Sequence, residues 1–356
     1  MKNILTEALV NSVTNASFIC SYTNSAKLRT QPTLGIMIGD KYLANIVAEY
    51  LKVCVALFLV LSGYGLNASM NKNKYSITKF YKKHIWKIYK NYWLIWILFV
   101  PIGVIRGRTF SFVYGDHYLA KLLTDILGLQ KLLGYNSYNA TWWFITLILG
   151  LYLIFPIIYK LAKKVPLLLL IAGGVAMFLP VKKIANLDII LTYKFWLLPF
   201  IFGVLMSEYK FIERINEKLN AHAVFKFITY FTLLFLAIYI RKHGKYLINL
   251  RIDTLFSFAI ILISLEYIKR IKMLNRFLKF VGNHSFNIFL FHTFIYGMYF
   301  REFVYSLKHP LLIWLSLLLM CLNISVLIEK LKLVLVNYYL NRIIPIFKST
   351  HKDGII

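Results

Sequence analysis

The sequence predicts an all-α fold, a polytopic membrane bundle of about nine transmembrane helices, on three observations. The first is apolarity: 59% of the 356 residues are hydrophobic and the mean hydropathy is +0.65, where a soluble domain is about 45–50% apolar. The second is charge: only 16% of residues are charged, yet 42 Lys and Arg against 14 Asp and Glu give a net +28. The third is distribution: basic residues sit between long apolar runs, as in loops that face an anionic inner leaflet. A nucleic-acid binder can be this basic but not this apolar, so nucleic acid is not expected as a partner and membrane lipid is. Cys20, Cys54 and Cys321 have no paired spacing, so neither a disulfide framework nor a metal site is expected.

In chain order, residues 1–45 are rich in Ser, Thr, Asn and Lys, with no apolar run near the ~20 residues that a span needs. They read as a polar N-terminal segment, disordered or outside the membrane. Glu7 and Asn11 interrupt the apolar core a signal peptide would need. Residues 46–328 read as one membrane domain and 329–356 as a basic cytoplasmic tail. Candidate spans are 46–66, 92–105, 142–159, 166–180, 188–206, 224–240, 254–268, 284–300 and 310–328. The shorter apolar piece Leu119–Leu133, broken by Asp125, Gly128 and Lys131, reads as a re-entrant or interfacial helix.

Loop charge orients the chain. With 67–91 in the cytoplasm, the inner segments hold 23 Lys and Arg and the outer ones 12, which predicts a multi-pass plasma-membrane protein with a cytoplasmic C-terminus. Span 46–66 then runs from outside to inside, leaving residues 1–45 outside with nothing to carry them across. An inside-to-outside span ahead of residue 46 is the piece this topology lacks, and a displaced upstream reading frame is one origin for such a loss.

Five stretches, in order from about residue 46 to 328, carry a resemblance. They are Phe58–Leu66 with its Ser-Gly-Tyr-Gly end, the basic run Phe80–Tyr92, Thr141–Phe144 with Tyr152 and Pro156 downstream, Phe200–Ser207 around Gly203, and Gly282–His292. Together they resemble the acyltransferase-3 family, integral membrane enzymes that move acyl groups, usually acetyl, onto cell-surface glycans. The resemblance implies an acetyl-CoA or other acyl-CoA donor and a glycan, or its lipid-linked precursor, as acceptor. Two departures stand out. The family's first span usually carries a basic residue about eleven positions before a histidine; here Arg29 is followed at that distance by Asp40, in a polar stretch. The family's arginine pair aligns with His84 and Lys87, and a lysine offers a point charge rather than a bidentate fork.

The candidate residues follow. Lys79, Lys83, Lys87 and Lys90 recur at helical spacing and form one cationic face, either an anchor on anionic lipid or, with His84, a grip on the phosphates of an acyl-CoA. His292 lies in an apolar run, where an ionisable group faces a cavity or the bundle interior, and is the candidate acid–base residue. Ser285, seven residues earlier, shares its face but stands about 10 Å away along the helix, too far for a nucleophile–base pair. Asn287 is a weaker candidate. Trp142 and Trp143 read as an interfacial aromatic belt or as a sugar-stacking platform. Asp116 and His117 could supply an outer-loop base, and Asp188 and Glu266 could pair with Lys183 or Lys269. No zinc spacing, phosphate-binding glycine loop or nucleophile elbow is present.

The function expected is membrane O-acylation, most simply acetyl transfer to a polysaccharide of capsule or exopolysaccharide biosynthesis. The alternatives are a polysaccharide transporter or polymerase, which should carry paired charges inside its spans or a large outer loop, and a catalytically inactive family member.

Overall fold

Local chemistry at one helical hairpin sets the frame for the site. The computed structural model describes residues 37–38, 41–42, 50, 53–179, 188–219, 222–243 and 246–338. Helix α1 (Cys54–Asn73) stops where Lys74 turns left-handed at φ +47° and its N–H bonds the Met70 carbonyl at 2.8 Å. Two residues on, Ser76 opens helix α2 (Ile77–Ile105), its Oγ accepting the Lys79 N–H at 3.3 Å. The expected span 92–105 is only the second half of this 29-residue helix. At 1.5 Å per residue α2 is about 43 Å long, so its first turns extend beyond an apolar layer of about 30 Å. The lysine run therefore rides on the same rigid rod as the span.

The remaining helices are α3 (Phe110–Tyr114), α4 (Tyr118–Ile126), α5 (Trp143–Lys164), α6 (Pro166–Ala176), α7 (Asp188–Glu208), α8 (Phe211–Leu219) and α9 (Ala223–His243). After them come α10 (Tyr246–Glu266), α11 (Lys272–Phe294), α12 (Arg301–Ser306) and α13 (Pro310–Tyr338). Two two-residue strands, β1 (Met37–Ile38) and β2 (Lys41–Tyr42), pair antiparallel. Apart from these strands, the expectations for residues 1–45 lie outside the described residues.

Among the described residues five helices are long and apolar enough to cross a membrane alone: α1, α2, α5, α9 and residues 311–335 of α13. Residues 193–208 of α7 together with α8, bent by 63° at their junction, add a sixth if counted as one span. The bundle is thus helical and multi-pass, and of the nine crossings read from hydropathy five or six meet this measure among the described residues. Two differences have physical causes. The expected span 166–180 is the 11-residue α6, about 17 Å long and short of the apolar layer. The expected span 284–300 crosses from α11 into a π-helical turn at 295–299 and carries the polar residues His284, Asn287 and His292. The expected span 254–268 falls largely within α10, part of whose side chains lie outside the described residues.

Helices α1 and α7 make the closest crossing. A Cβ on Gly63 would run into the Phe200 carbonyl oxygen, and one on Gly203 into the Val60 backbone, so each glycine lets the opposite main chain approach. The crossing continues in polar contacts. Asn67 and Asn71 donate to the Glu208 carboxylate at 3.0 and 2.7 Å, and the Tyr159 hydroxyl of α5 donates to the Asn71 side-chain Oδ1 at 2.8 Å.

The segment joining α2 to α5 folds back along α2. The exposed carbonyls at the end of α4 are met by α2 side chains: Tyr92 bonds Asp125 O, Trp93 Nε1 bonds Ile126 O at 2.8 Å, and Tyr89 bonds Leu127 O at 2.8 Å. Tyr89 stands about 24 Å along α2 from Ile105, so the piece 119–133 dips deep beside the helix, as a re-entrant element would. Asp125 does more than interrupt that piece. Its buried carboxylate accepts from the Tyr138 N–H at 2.7 Å, from Ser137 at 2.9 Å and from the Tyr114 hydroxyl.

Elsewhere, α9 and α10 are clamped by buried Arg241–Asp253 towards one end and Lys226–Glu266 at the other, with Arg270 also on Glu266. Glu266 thus pairs with Lys226 and Arg270 rather than with Lys269: Lys226 is brought across by the neighbouring helix, and Arg270 is an i,i+4 partner past the end of α10. The expected Asp188–Lys183 pair lies outside the described residues.

Replacing Gly203 by Leu should overpack the α1–α7 crossing and cost about 1–3 kcal/mol. Gly174→Ala, where nothing stands within 4 Å of the added Cβ, should be neutral. Thermal unfolding in detergent separates the two. Asp125→Ala, which strands the buried Tyr138 N–H, should cost about 1–3 kcal/mol. In addition, limited proteolysis should cut within residues 106–141 sooner in that variant than in the parent.

Candidate functional site

The basic half of α2 forms one wall of a cavity of about 860 Å3. The wall consists of Lys83, His84, Trp86, Lys87, Lys90 and Asn91. Lys83, Trp86, Lys87 and Lys90 are exposed and form a cationic, aromatic mouth. Deeper, Phe58 and Leu61 of α1, Ile148 and Tyr152 of α5, and Ser285 of α11 supply a mainly apolar interior. Helices α1, α2, α5, α11 and α13 all contribute, so the cavity exists only in the assembled bundle.

The mouth is ordered by its own contacts. Lys83 donates to the Tyr75 hydroxyl and lies 4.7 Å from the centre of that ring, while Lys79 is held over the same ring at 5.9 Å. The Lys83 hydrogen bond lowers the Tyr75 phenol below its usual range, because an ammonium donor favours the phenolate. Lys90 sits 5.7 Å over the Trp86 ring. The His84 ring packs on Phe80 at 4.8 Å, and its Nε2 is buried with no hydrogen-bond partner among the described residues.

On the far wall, Lys332 of α13 donates to Asn91 at 2.7 Å, to Asn287 at 3.0 Å and to Glu329 at 2.6 Å. Asn287 in turn donates to Glu329 at 2.6 Å and, more weakly, to Ser325 at 3.3 Å. His284 shares Ser325 at 2.9 Å. Three helices are joined here through one ammonium group.

Of the residues singled out from sequence, Lys83, His84, Lys87, Lys90 and Ser285 line this one cavity, and so does the weaker candidate Asn287. Ser285 faces the cavity through the same helix turn as Asn283 and Phe286. Lys79 is not part of the lining. Neither is His292, which is 2% exposed in an aromatic core. Its Nδ1 contacts the Ile288 and Phe289 carbonyls at 2.9 and 3.0 Å, and since a carbonyl only accepts, Nδ1 carries the proton. Trp142 corrects the surface reading: it is fully buried, its Nε1 bonds Leu290 O at 2.9 Å, and it serves neither a belt nor a platform. The neighbouring Asn139, also buried, explains this burial. Its amide binds the same Leu290 carbonyl at 3.2 Å and accepts from Thr293 at 2.7 Å, stitching the start of α5 to α11. Trp143 is partly buried against Trp196, with ring centres 6.3 Å apart, and does not line the cavity. Asp116 and His117 are exposed and are not part of the lining.

Asn91, Glu329 and Lys332 were not singled out from sequence. Glu329 and Lys332 fall where hydropathy drops and read as the start of a tail, but α13 continues without a break to Tyr338. The available signal was a lone acid three residues before a lysine at the end of an apolar run.

Comparison with known proteins agrees with this architecture. A family profile described as an acyltransferase domain, acyltransferase-3, matches residues 30–330, which takes in every cavity-lining residue except Lys332. The match begins ahead of residue 46, within the segment set apart by its polarity. Neither a search of curated proteins nor one of solved structures returned a match. With most of its length matched, this chain belongs to the acyltransferase-3 family of membrane acyltransferases.

Proposed function

We propose that this protein moves an acetyl or similar short acyl group from acyl-CoA to a hydroxyl of a cell-surface polysaccharide, with the lysine-rimmed cavity as the donor site. One observation carries the reading: the cavity is amphipathic in the sense this donor requires. Its mouth gathers Lys83, Lys87, Lys90 and Lys332 against a single acid, Glu329, while its interior is lined by Phe58, Leu61 and Ile148. Coenzyme A is a polyanion at its nucleotide end and carries its thioester on a long neutral arm. About 860 Å3 is within the usual range for a small-molecule site, roughly 300–1,000 Å3.

In this reading the phosphates rest on Lys83 and Lys87 at the cytoplasmic mouth and the arm runs inward past Ser285. Acyl transfer forms an ester C–O bond as the hydroxyl oxygen attacks the thioester carbonyl, and breaks the C–S bond. The hydroxyl proton must be taken up as this happens and the thiolate of coenzyme A leaves. His84 lines the cavity between Lys83 and Lys87, at the phosphate end, and in this reading belongs with them to the donor grip. The acceptor, a capsule or exopolysaccharide unit, follows from the family's chemistry rather than from a groove in this chain.

Three results are expected. In proteoliposomes, Lys83→Ala with Lys87→Ala should raise KM for acetyl-CoA about tenfold with a smaller change in kcat, since phosphate grip is shared by ground and transition states. His84→Gln should raise KM for acetyl-CoA about threefold and leave kcat near the parent value. Polysaccharide from cells with and without the protein should differ in O-acetyl signals by proton NMR. Unchanged O-acetylation together with impaired polysaccharide export would favour the transporter reading instead.

A further inference from the structure

We propose that Glu329 and Lys332 form an exchangeable counter-ion pair, in which Glu329 holds the place of a ligand phosphate on Lys332 until a phosphate-bearing ligand enters. The choice of phosphate as ligand rests on the donor-site reading above; the exchange itself rests on the hydrogen bonds. An ammonium group has three donors, and all three of Lys332 are occupied by Asn91, Asn287 and Glu329. An incoming anion must therefore displace one acceptor. Asn91 and Asn287 are neutral and come from two other helices, where they fix the ammonium in space. Glu329 is the charged acceptor, and it lies one turn from Lys332 on the same helix.

Exposure points the same way. The Glu329 side chain is 42% exposed and that of Lys332 22%, so the carboxylate is the partner able to swing into solvent. The position it would vacate is already built for an anion. Glu329 Oε1 accepts from Lys332 Nζ and from Asn287 Nδ2, both at 2.6 Å, so a phosphate oxygen placed there would inherit one charged and one neutral donor. The surroundings favour the exchange as well. Four lysines line the cavity against this one carboxylate, and a group bearing more than one negative charge gains more from that field than Glu329 does.

A bracing pair and an exchangeable pair predict opposite effects for one substitution. Glu329→Gln keeps an oxygen that can accept both hydrogen bonds but removes the competing charge. The test is coenzyme A binding to the full chain in nanodiscs of neutral phosphatidylcholine, with a parallel set containing phosphatidylglycerol. In neutral discs Lys332→Met should raise Kd about tenfold, and Glu329→Gln should lower it about threefold. Lys332→Arg should restore most of the affinity. If coenzyme A competes with phosphatidylglycerol and the same two variants shift both ligands in these directions, the site reads phosphate from either source. Should the parent bind no coenzyme A, while Lys332→Met weakens and Glu329→Gln strengthens phosphatidylglycerol retention, the pair stands with a lipid ligand and the donor-site reading falls. Coenzyme A binding that is unchanged in Lys332→Met, or weakened in Glu329→Gln, would overturn the exchange and leave the donor-site reading in place.

Discussion

Everything at the cavity depends on how closely α1 can approach α7. Lipid tails are as apolar as the helix surfaces, so burial alone does not hold membrane helices together, and close packing has to do so. Gly63 and Gly203 permit main chain to meet main chain at this crossing. The Asn67–Glu208 and Asn71–Glu208 hydrogen bonds, with Tyr159 on Asn71, then lock it and draw in α5. With α1 so placed, Phe58, Leu61 and Gly65 face α2 and α11 across the cavity. A larger residue at either glycine would act on the site without touching it.

The second constraint is the length of α2. A helix that only crossed the membrane would end near its aromatic belt, but α2 begins several turns earlier, capped by Ser76. The same rod therefore carries the lysines at one end and, along its middle, the aromatic donors Tyr89, Tyr92 and Trp93. Those donors satisfy the carbonyls of the folded-back segment. The lysine mouth and the architecture beyond it are thus mechanically one element. This arrangement suits an enzyme whose two substrates are expected to approach from opposite sides of the membrane.

Much of this was legible in the sequence, and what was missed has specific causes. Hydropathy and charge identify a helical membrane protein, and helical spacing brings Lys83, Lys87 and Lys90 onto one face, which is the face lining the cavity. Hydropathy cannot say that an apolar stretch is too short once its helix ends, as with α6, or that a charged turn is continuous with a span, as with α2 and α13. Tryptophans near a span end suggest an interface, but Trp142 is pulled inside because Asn139 ties that turn to the Leu290 carbonyl. Asp125 looked like an interruption of an apolar run, yet it anchors the segment through Tyr114, Ser137 and the Tyr138 amide. Glu329 and Lys332 were hidden for a different reason: their meaning depends on Asn91 and Asn287, some 240 and 40 positions away in the chain. Such partners meet only after folding.

The central claim is that one amphipathic cavity, held open by the α1–α7 crossing, receives the nucleotide end of an acyl-CoA. The most direct measurement is a cryo-electron microscopy structure of the full chain in a nanodisc with a non-hydrolysable acetyl-CoA analogue. The account predicts phosphate density beside Lys83, Lys87 and Lys332, with the acyl arm extending inward between Ile148 and Ser285. Nucleotide density elsewhere on the protein, or a lipid chain occupying the cavity at saturating analogue, would contradict it.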